Sequence, residues 1–164
     1  MRFDVEHSFA ATPHAVADLL VDAEFYGTVE LPDLALREVV THEPSGARAT
    51  LALRYEYVGS LDPVARKLLG SRVLTWLQTL TIERAPGRGR LTIVADGAAD
   101  RLRADASVVL REAENGTTVR RIDGEFVVRV PLVGGTAERR ILPGVLRRLD
   151  VEADALRARL RERA

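Results

Sequence analysis

Residues 136–163 read TAERRILPGVLRRLDVEADALRARLRER and carry the longest amphipathic pattern in the chain. Apolar residues recur there every three or four positions, which is typical of one face of an α-helix. They are Leu142, Val145, Leu146, Leu149, Ala153, Leu156 and Leu160. The charged residues fall mostly on the other faces: Arg139, Arg140, Arg147, Arg148, Asp150, Glu152, Asp154 and Arg157. A helix this long with one apolar stripe needs a wide apolar surface to pack on.

Pro143 interrupts the early part of this helical pattern. Proline lacks the backbone donor, and its ring clashes with the preceding turn, at a cost of roughly 3 kcal/mol in a straight helix. Two structures are compatible with the sequence. Either the helix kinks at Pro143, or residues 136–142 form a separate turn and the main helix starts at Pro143.

The apolar surface comes from the strands that precede this helix. Phe3, Val5, His7 and Phe9 alternate with polar residues, as in a strand with one buried face. Six further alternating segments follow, at Leu34–Glu43, Ala49–Tyr57, Leu74–Ile82, Leu91–Ala95, Leu102–Leu110 and Ile122–Val130. Short turns separate most of them, including Asn115-Gly116, the strongest hairpin signal in the chain. The pattern predicts an antiparallel meander with one apolar face.

Helices are predicted at three further places. Thr12-Pro13 provides an N-cap and a first helical residue, and a second short helix is predicted from Asp22 to Val29. A third short helix is predicted from Asp62-Pro63 to Gly70. The expected fold class is therefore α+β: a seven-stranded curved antiparallel sheet that wraps around a long C-terminal helix, with two short helices after the first strand.

Composition excludes several classes of function. The chain has 164 residues, zero formal net charge and no cysteine. Zero net charge gives no general attraction to nucleic acid or to an anionic membrane, and the lack of cysteine excludes disulfides and thiolate metal sites. No two histidines have metal-ligand spacing, so we expect no metal and no cofactor. The first residues resemble a strand more than a signal peptide, and no apolar run reaches membrane-spanning length. We therefore expect one cytoplasmic domain over residues 1–164.

Three stretches carry a resemblance to a known superfamily. Residues 3–9 (FDVEHSF) lead into Thr12–Val16, residues 19–22 (LLVD) precede Phe25-Tyr26, and residues 130–138 (VPLVGGTAE) lead into the C-terminal helix. The order resembles the START-like helix-grip superfamily, also called the polyketide cyclase and lipid-transport superfamily, and is most similar to a small uncharacterised bacterial group within it. That resemblance implies the helix-grip fold and an apolar ligand held between sheet and helix. It selects no particular activity, because the matching motifs are structural.

Candidate binding residues follow from strand parity. The inward faces carry a few polar groups among apolar ones, which suits a pocket that orients an apolar ligand. Small residues on inward faces, Ala95, Ala104 and Ala106, are predicted to leave space under the helix. The predicted ligand-binding residues are His7, Tyr55, Tyr57, Trp76, Gln78, Ala104, Ala106, Phe126 and Leu149. Ordinary core packing explains the same pattern, with His7 hydrogen-bonded to a neighbour and the tyrosine hydroxyls at the rim.

Three functions are compatible with this sequence. The first is binding or transport of an apolar or amphipathic small molecule, lipid-like or polyketide-like, with no reaction catalysed and an undetermined oligomeric state. The second is a cyclase or dehydratase that uses His7, Tyr55 or Tyr57 as acid or base. The third is a protein-interaction module whose core is filled and which exposes an apolar patch. A large apolar cavity with few converging polar groups would favour the first.

Overall fold

The computed structural model describes residues 1–61, 63, 66 and 72–164. Its strands are β1 (Arg2–Phe9), β2 (Leu34–Glu43), β3 (Arg48–Tyr57), β4 (Thr75–Glu83), β5 (Arg88–Ala95), β6 (Leu102–Glu112) and β7 (Thr118–Val128). Its helices are α1 (Pro13–Leu20), α2 (Ala23–Thr28) and α3 (Gly134–Arg163), and a 3-10 turn spans Glu114–Gly116. Apart from residues 63 and 66, the short helix predicted from Asp62 to Gly70 lies outside the described residues.

The seven strands form one antiparallel sheet in the order β1-β7-β6-β5-β4-β3-β2. Strands β2 to β7 pair with their neighbours in sequence, as predicted for a meander. The first strand crosses to the far edge and pairs with β7, so that His7 lies opposite Arg120. The fold class predicted from the sequence is therefore confirmed, including the curved sheet, the long C-terminal helix and the two short helices after β1.

Local sequence explains where the two short helices begin. The Thr12 hydroxyl accepts a hydrogen bond from the Ala15 amide at 3.2 Å, with Pro13 at the first helical position. The Asp22 carboxylate accepts one from the Phe25 amide at 3.1 Å. Both helices bury their apolar residues in the main core, and this places Tyr26 beneath α3.

Strand parity assigns the faces of the sheet correctly. Leu51, Leu53, Val108 and Phe126 are buried, and Ile93 is half-buried. On the opposite face, Arg48, Arg103 and Arg111 are exposed and Arg54 is half-buried. A register error of one residue would have exchanged these sets.

The long helix α3 is continuous through Pro143, since it runs from Gly134 to Arg163. The interpretation that the main helix starts at Pro143 is wrong. Its buried residues Leu149, Ala153 and Leu156 join the main core, while Leu142 and Ala137 join a second cluster with Ala104, Phe126 and Val128. None of the helices in the described ranges combines the length and apolar composition needed to cross a lipid bilayer.

Candidate ligand cavity

A cavity of about 420 Å³ lies between the sheet and the N-terminal half of α3. One wall comes from the inward faces of the strands, including Trp76, Ile93 and Phe126. The opposite wall comes from α3, from Arg140 to Glu152. We call it the ligand cavity. Its volume falls in the range of small-molecule pockets, about 300–1,000 Å³.

Pro143 and Gly144 lie in the part of α3 that forms this wall. A Cβ built on Gly144 would meet only the Arg148 guanidinium, at 3.9 Å, so the space beside that residue is open. Arg148 itself lies over the Tyr57 ring, with its guanidinium carbon 5.5 Å from the ring centroid. Its Nε donates a hydrogen bond to the Pro32 carbonyl at 3.1 Å. Burial lowers the pKa of Arg148 from its ordinary value, although guanidinium groups stay protonated in proteins.

Two polar side chains in the cavity wall have unused hydrogen-bonding groups. Trp76 is 8% exposed, and its indole Nε1 has no partner among the described residues. The side-chain amide of Gln78, two residues along β4, likewise forms no hydrogen bond within the described part of the chain. Burying a donor without a partner costs roughly 1–3 kcal/mol. The Trp76 Nε1 is closed off from water, so the half-buried Gln78 amide is the one of these two polar groups that a molecule in the cavity can reach.

The deepest polar group of the cavity is Glu152, which is paired with Arg120 from β7. The Arg120 Nη1 donates to the Glu152 carboxylate at 2.6 Å. The two residues are only 1% and 5% exposed, so this is a buried ion pair. A small inner cavity of about 20 Å³ touches both of them and shares Gln78 and Leu149 with the ligand cavity.

Neither partner of this pair was among the predicted site residues. Glu152 was predicted to lie with the charged residues on the outer faces of α3, and that prediction is wrong, since Glu152 is buried. Helical spacing carries the correct signal, because Glu152 follows Leu149 by three residues and precedes Leu156 by four. Parity in β7 carries the signal for Arg120, since Thr118, Arg120 and Ile122 alternate inward and all three are buried.

His7 extends the pair into a chain of hydrogen bonds that reaches the surface. Its Nδ1 lies 3.1 Å from Arg120 Nη2, and its Nε2 lies 3.0 Å from the Asp150 carboxylate, which is largely exposed. A guanidinium only donates, so Nδ1 must accept and Nε2 must carry the proton. The arrangement therefore selects the neutral imidazole. Burial, and next the charge of Arg120, lower the pKa of His7 from its ordinary value of 6.5.

Two buried tyrosines lie near Glu152. Burial raises the pKa of Tyr26 well above its ordinary value, and the charge of Glu152 raises it further. The same two causes raise the pKa of Tyr55. The Tyr55 hydroxyl has no hydrogen-bond partner in the described chain, and its ring lies 6.2 Å from the Trp76 ring between centroids. Both phenols are therefore neutral at physiological pH.

The structure brings five of the nine predicted binding residues to the cavity wall. These are Tyr57, Trp76, Gln78, Phe126 and Leu149. The other four lie elsewhere: His7 in the hydrogen-bond chain behind Arg120, Tyr55 in the core, and Ala104 and Ala106 packed between strands and helix.

The prediction that Ala104 and Ala106 leave space under the helix is wrong. Ala106 lies opposite Gly124 in the sheet, and a Cβ on Gly124 would approach its Cβ to 2.4 Å. These small residues allow close packing instead. Among the three alanines singled out, Ala95 lines a second cavity next to the ligand cavity.

Solved structures of the same architecture define the class of fold. A protein from Thermus thermophilus is similar at 18% identity and TM-score 0.70, with 100% of this chain and 99% of that chain covered. The Zhui aromatase/cyclase from Streptomyces sp. R1128 is similar at 15% identity and TM-score 0.63, covering 99% and 96%. A START superfamily protein from Mycobacterium smegmatis is similar at 13% identity and TM-score 0.57, covering 99% of both chains. The chain therefore has the START-like helix-grip fold.

The family follows from the sequence itself. Residues 4–160 match the family described as "Protein of unknown function (DUF2505)", and the chain belongs to it. No curated protein matches the sequence. The predicted resemblance to the START-like superfamily is confirmed at the level of the fold, and the family that the chain belongs to is one of unknown function.

Breaking the Arg120–Glu152 pair from one side should be costly. Glu152→Gln leaves the Arg120 charge buried without a counter-charge, and we expect a loss of about 3–5 kcal/mol in the free energy of unfolding measured in urea. Asp4→Asn is the matched control, because Asp4 pairs with Arg121 at 3.2 Å on the surface and should lose at most about 1 kcal/mol. The double change Arg120→Met with Glu152→Leu should recover most of the loss. Equal, small effects of Glu152→Gln and Asp4→Asn would show that the buried pair does not constrain the fold.

Acidification should destabilise the protein through His7. Because its pKa is lower in the folded protein than the ordinary 6.5, the unfolded chain takes up the proton first as pH falls. Stability from this group is therefore complete above pH 6.5 and is lost as pH falls toward the folded pKa. In His7→Gln, whose side-chain oxygen still accepts from Arg120, the decline in unfolding free energy between about pH 7.5 and 5.5 should be smaller. The control for loss of an imidazole is His42→Gln, because His42 is exposed and forms no hydrogen bond or ion pair within the described part of the chain. A slope in His7→Gln no smaller than that of the parent protein and of this control would refute the assignment.

Proposed function

We propose that the protein binds an apolar or amphipathic small molecule in the ligand cavity between the sheet and α3. The observation that carries the proposal is the cavity itself, about 420 Å³, whose lining surface is mostly apolar but includes the charged side chains of Asp33, Arg140, Arg147, Arg148 and Glu152. A concave, mostly apolar site of this size that is open to solvent is the usual form of a small-molecule binding site. It does not fit the hypothesis of a protein-interaction module with a filled core.

The unused polar groups refine the kind of ligand. The Gln78 amide offers both a donor and an acceptor. A carbonyl or hydroxyl group on the ligand would pair with this amide, while the rest of the molecule lies against Ile93, Phe126 and Leu149. This arrangement favours an amphipathic ligand over a pure hydrocarbon, and lipid-like or polyketide-like molecules have the required chemistry.

The arrangement of acids and bases does not favour a reaction over binding. A general acid or base must reach the substrate within hydrogen-bond distance, directly or through one water. His7 lies behind Arg120 and is absent from the cavity wall, as is Tyr55. Tyr57 does line the cavity, but its hydroxyl donates to the Ser60 carbonyl at 3.2 Å. We therefore propose binding or transport as the function, carried out by residues 1–164 as one domain.

Filling the cavity from the helix side tests the proposal. Gly144→Phe places a ring in open space beside the wall, and replacing a helical glycine removes a penalty of roughly 0.5–1 kcal/mol relative to alanine. We expect the variant to fold with an unchanged or higher melting temperature and to lose binding of dodecanol, followed through the fluorescence of Trp76. Gly135→Phe is the matched control, since Gly135 is also in α3 with open space beside it but does not line the cavity.

The two variants separate the possible outcomes. Loss of the dodecanol response in Gly144→Phe, with a normal response in Gly135→Phe, supports binding in this cavity. A parent protein whose Trp76 fluorescence is unaffected by dodecanol, dodecanoate and dodecyl phosphate, each up to its solubility limit, contradicts the proposal. So does a Gly144→Phe variant that binds as tightly as the parent protein.

A further inference from the structure

A second cavity, of about 310 Å³, lies next to the ligand cavity at the end of the sheet. It is bounded by the segments that flank β4, β5, β6 and β7 and by the first turns of α3. The two cavities share Leu74, Leu102, Arg140 and Ile141 in their walls. The two cavities are therefore immediate neighbours, with these side chains at their common boundary.

Cations dominate the charged groups around this second cavity. Its wall contains Arg72, Arg101, Arg129 and Arg140, and we call it the arginine pocket. The one acidic residue among its described lining residues is Asp96, which already accepts a hydrogen bond from Arg54 Nε at 3.2 Å. The pocket therefore carries an excess of positive charge, although the chain as a whole has zero formal net charge.

Backbone pairing fixes two of these arginines side by side. Arg101 immediately precedes β6 and Arg129 immediately follows β7, and the Arg129 amide donates to the Arg101 carbonyl at 2.7 Å. Within the described part of the chain, neither the Arg101 nor the Arg129 side chain forms an ion pair or hydrogen bond. Many of the protein's other arginines are paired, for example Arg54, Arg90 and Arg163, but several exposed ones such as Arg48, Arg103 and Arg111 are not paired within the described ranges. Arg101 and Arg129 differ from those three because they lie together in the wall of an apolar cavity.

The floor of the arginine pocket is apolar. It is formed by Ala95, Leu102, Val128, Ala137 and Ile141, which are buried or half-buried. A small hydrophilic anion would leave this surface unused. An anionic group attached to an apolar chain matches both the arginines at the rim and the apolar floor beneath them.

We propose that the arginine pocket binds the anionic group, a carboxylate or a phosphate, of an amphipathic ligand whose apolar part occupies the ligand cavity. This inference rests on the proposed function and narrows its ligand class to acidic amphiphiles. Guanidinium groups match the planar oxygens of carboxylates and phosphates, and their hydrogen bonds to charged acceptors are stronger than neutral ones. The interior amide of Gln78 then pairs with a second polar group farther along the ligand.

Four probes test the proposal through the fluorescence of Trp76. Dodecanoate and dodecyl phosphate carry the two anionic groups, dodecanol has the same chain without charge, and inorganic phosphate has the charge without the chain. At neutral pH and low salt, we expect both anionic amphiphiles to bind roughly three- to thirtyfold more tightly than dodecanol, from two partly exposed charge contacts. In about 1 M NaCl this advantage should shrink, because the screening length falls to about 3 Å. Inorganic phosphate should not displace either one.

The double variant Arg101→Gln with Arg129→Gln assigns the effect to the pocket. It should bind dodecanoate and dodecyl phosphate no more tightly than dodecanol, with dodecanol affinity unchanged. Arg103→Gln with Arg111→Gln is the matched control, because it removes the same charge from exposed positions on β6 outside both cavities. This control should retain the preference for the anionic probes. Both variants change exposed side chains, and their melting temperatures should match that of the parent protein.

Each contrary outcome has a distinct meaning. Equal affinity for dodecanoate, dodecyl phosphate and dodecanol in the parent protein overturns the arginine pocket and leaves the proposed function standing. An equal loss of preference in the two double variants overturns it too, because net charge and not the pocket would then be responsible. Displacement of dodecyl phosphate by inorganic phosphate at comparable concentration contradicts the proposed amphipathic ligand, because the pocket would then be a site for simple anions. Failure of all three chain-bearing probes to bind overturns both proposals.

Discussion

The buried ion pair between Arg120 and Glu152 joins the sheet to the long helix. The two groups are 1% and 5% exposed, and their closest atoms are 2.6 Å apart. Removing such charges from water costs several kcal/mol per ion, and their attraction offsets that cost only with good geometry. The pair is therefore a stronger constraint on position than on stability, because a shift of α3 that separated Glu152 from Arg120 would leave two buried charges unpaired.

Neighbouring groups make this constraint specific. Arg120 uses a second nitrogen on His7, and its guanidinium carbon lies 5.5 Å from the centre of the Phe9 ring. Arg157, one turn beyond Ala153, covers the same ring at 5.5 Å and donates to the Ser8 carbonyl at 2.9 Å. These contacts hold the C-terminal half of α3 against β1 and β7. The N-terminal half, around Pro143 and Gly144, borders the ligand cavity instead. The C-terminal half of α3 is thus held on the sheet by packing and charge, while the N-terminal half leaves the space of the ligand cavity between itself and the sheet.

Most of the fold could be predicted from the sequence because it depends on periodic patterns. Alternation in the strands and a three-to-four spacing in the last helix report directly which face is buried. Pro143 was harder, since a proline inside a helix costs free energy that only the surrounding packing can offset. The helix nevertheless starts nine residues earlier, at Gly134.

The site could be predicted only in part, because it depends on which side chains meet across elements. Parity placed Trp76, Gln78 and Phe126 on the correct face, and all three line the cavity. Strand parity tells on which face a side chain lies, but not how closely its neighbours pack around it. Ala106 was therefore predicted to leave space, whereas it packs against Gly124. The ion pair was missed because charged residues were expected to face water. Arg120 and Glu152 instead occupy inward positions in the periodic patterns of β7 and α3. The signal for such a pair is a charged residue at an inward position of a strand together with a residue of opposite charge at an inward position of a helix.

Native mass spectrometry of the protein as purified tests most directly whether the space between sheet and helix holds a small molecule. We expect part of the protein to carry a non-covalent adduct that is released on denaturation and identified as an amphipathic molecule. We also expect that added dodecanoate replaces it at one molecule per chain. A protein detected at the mass of the bare chain, both as purified and after incubation with dodecanoate and with dodecanol, would contradict ligand binding in this cavity.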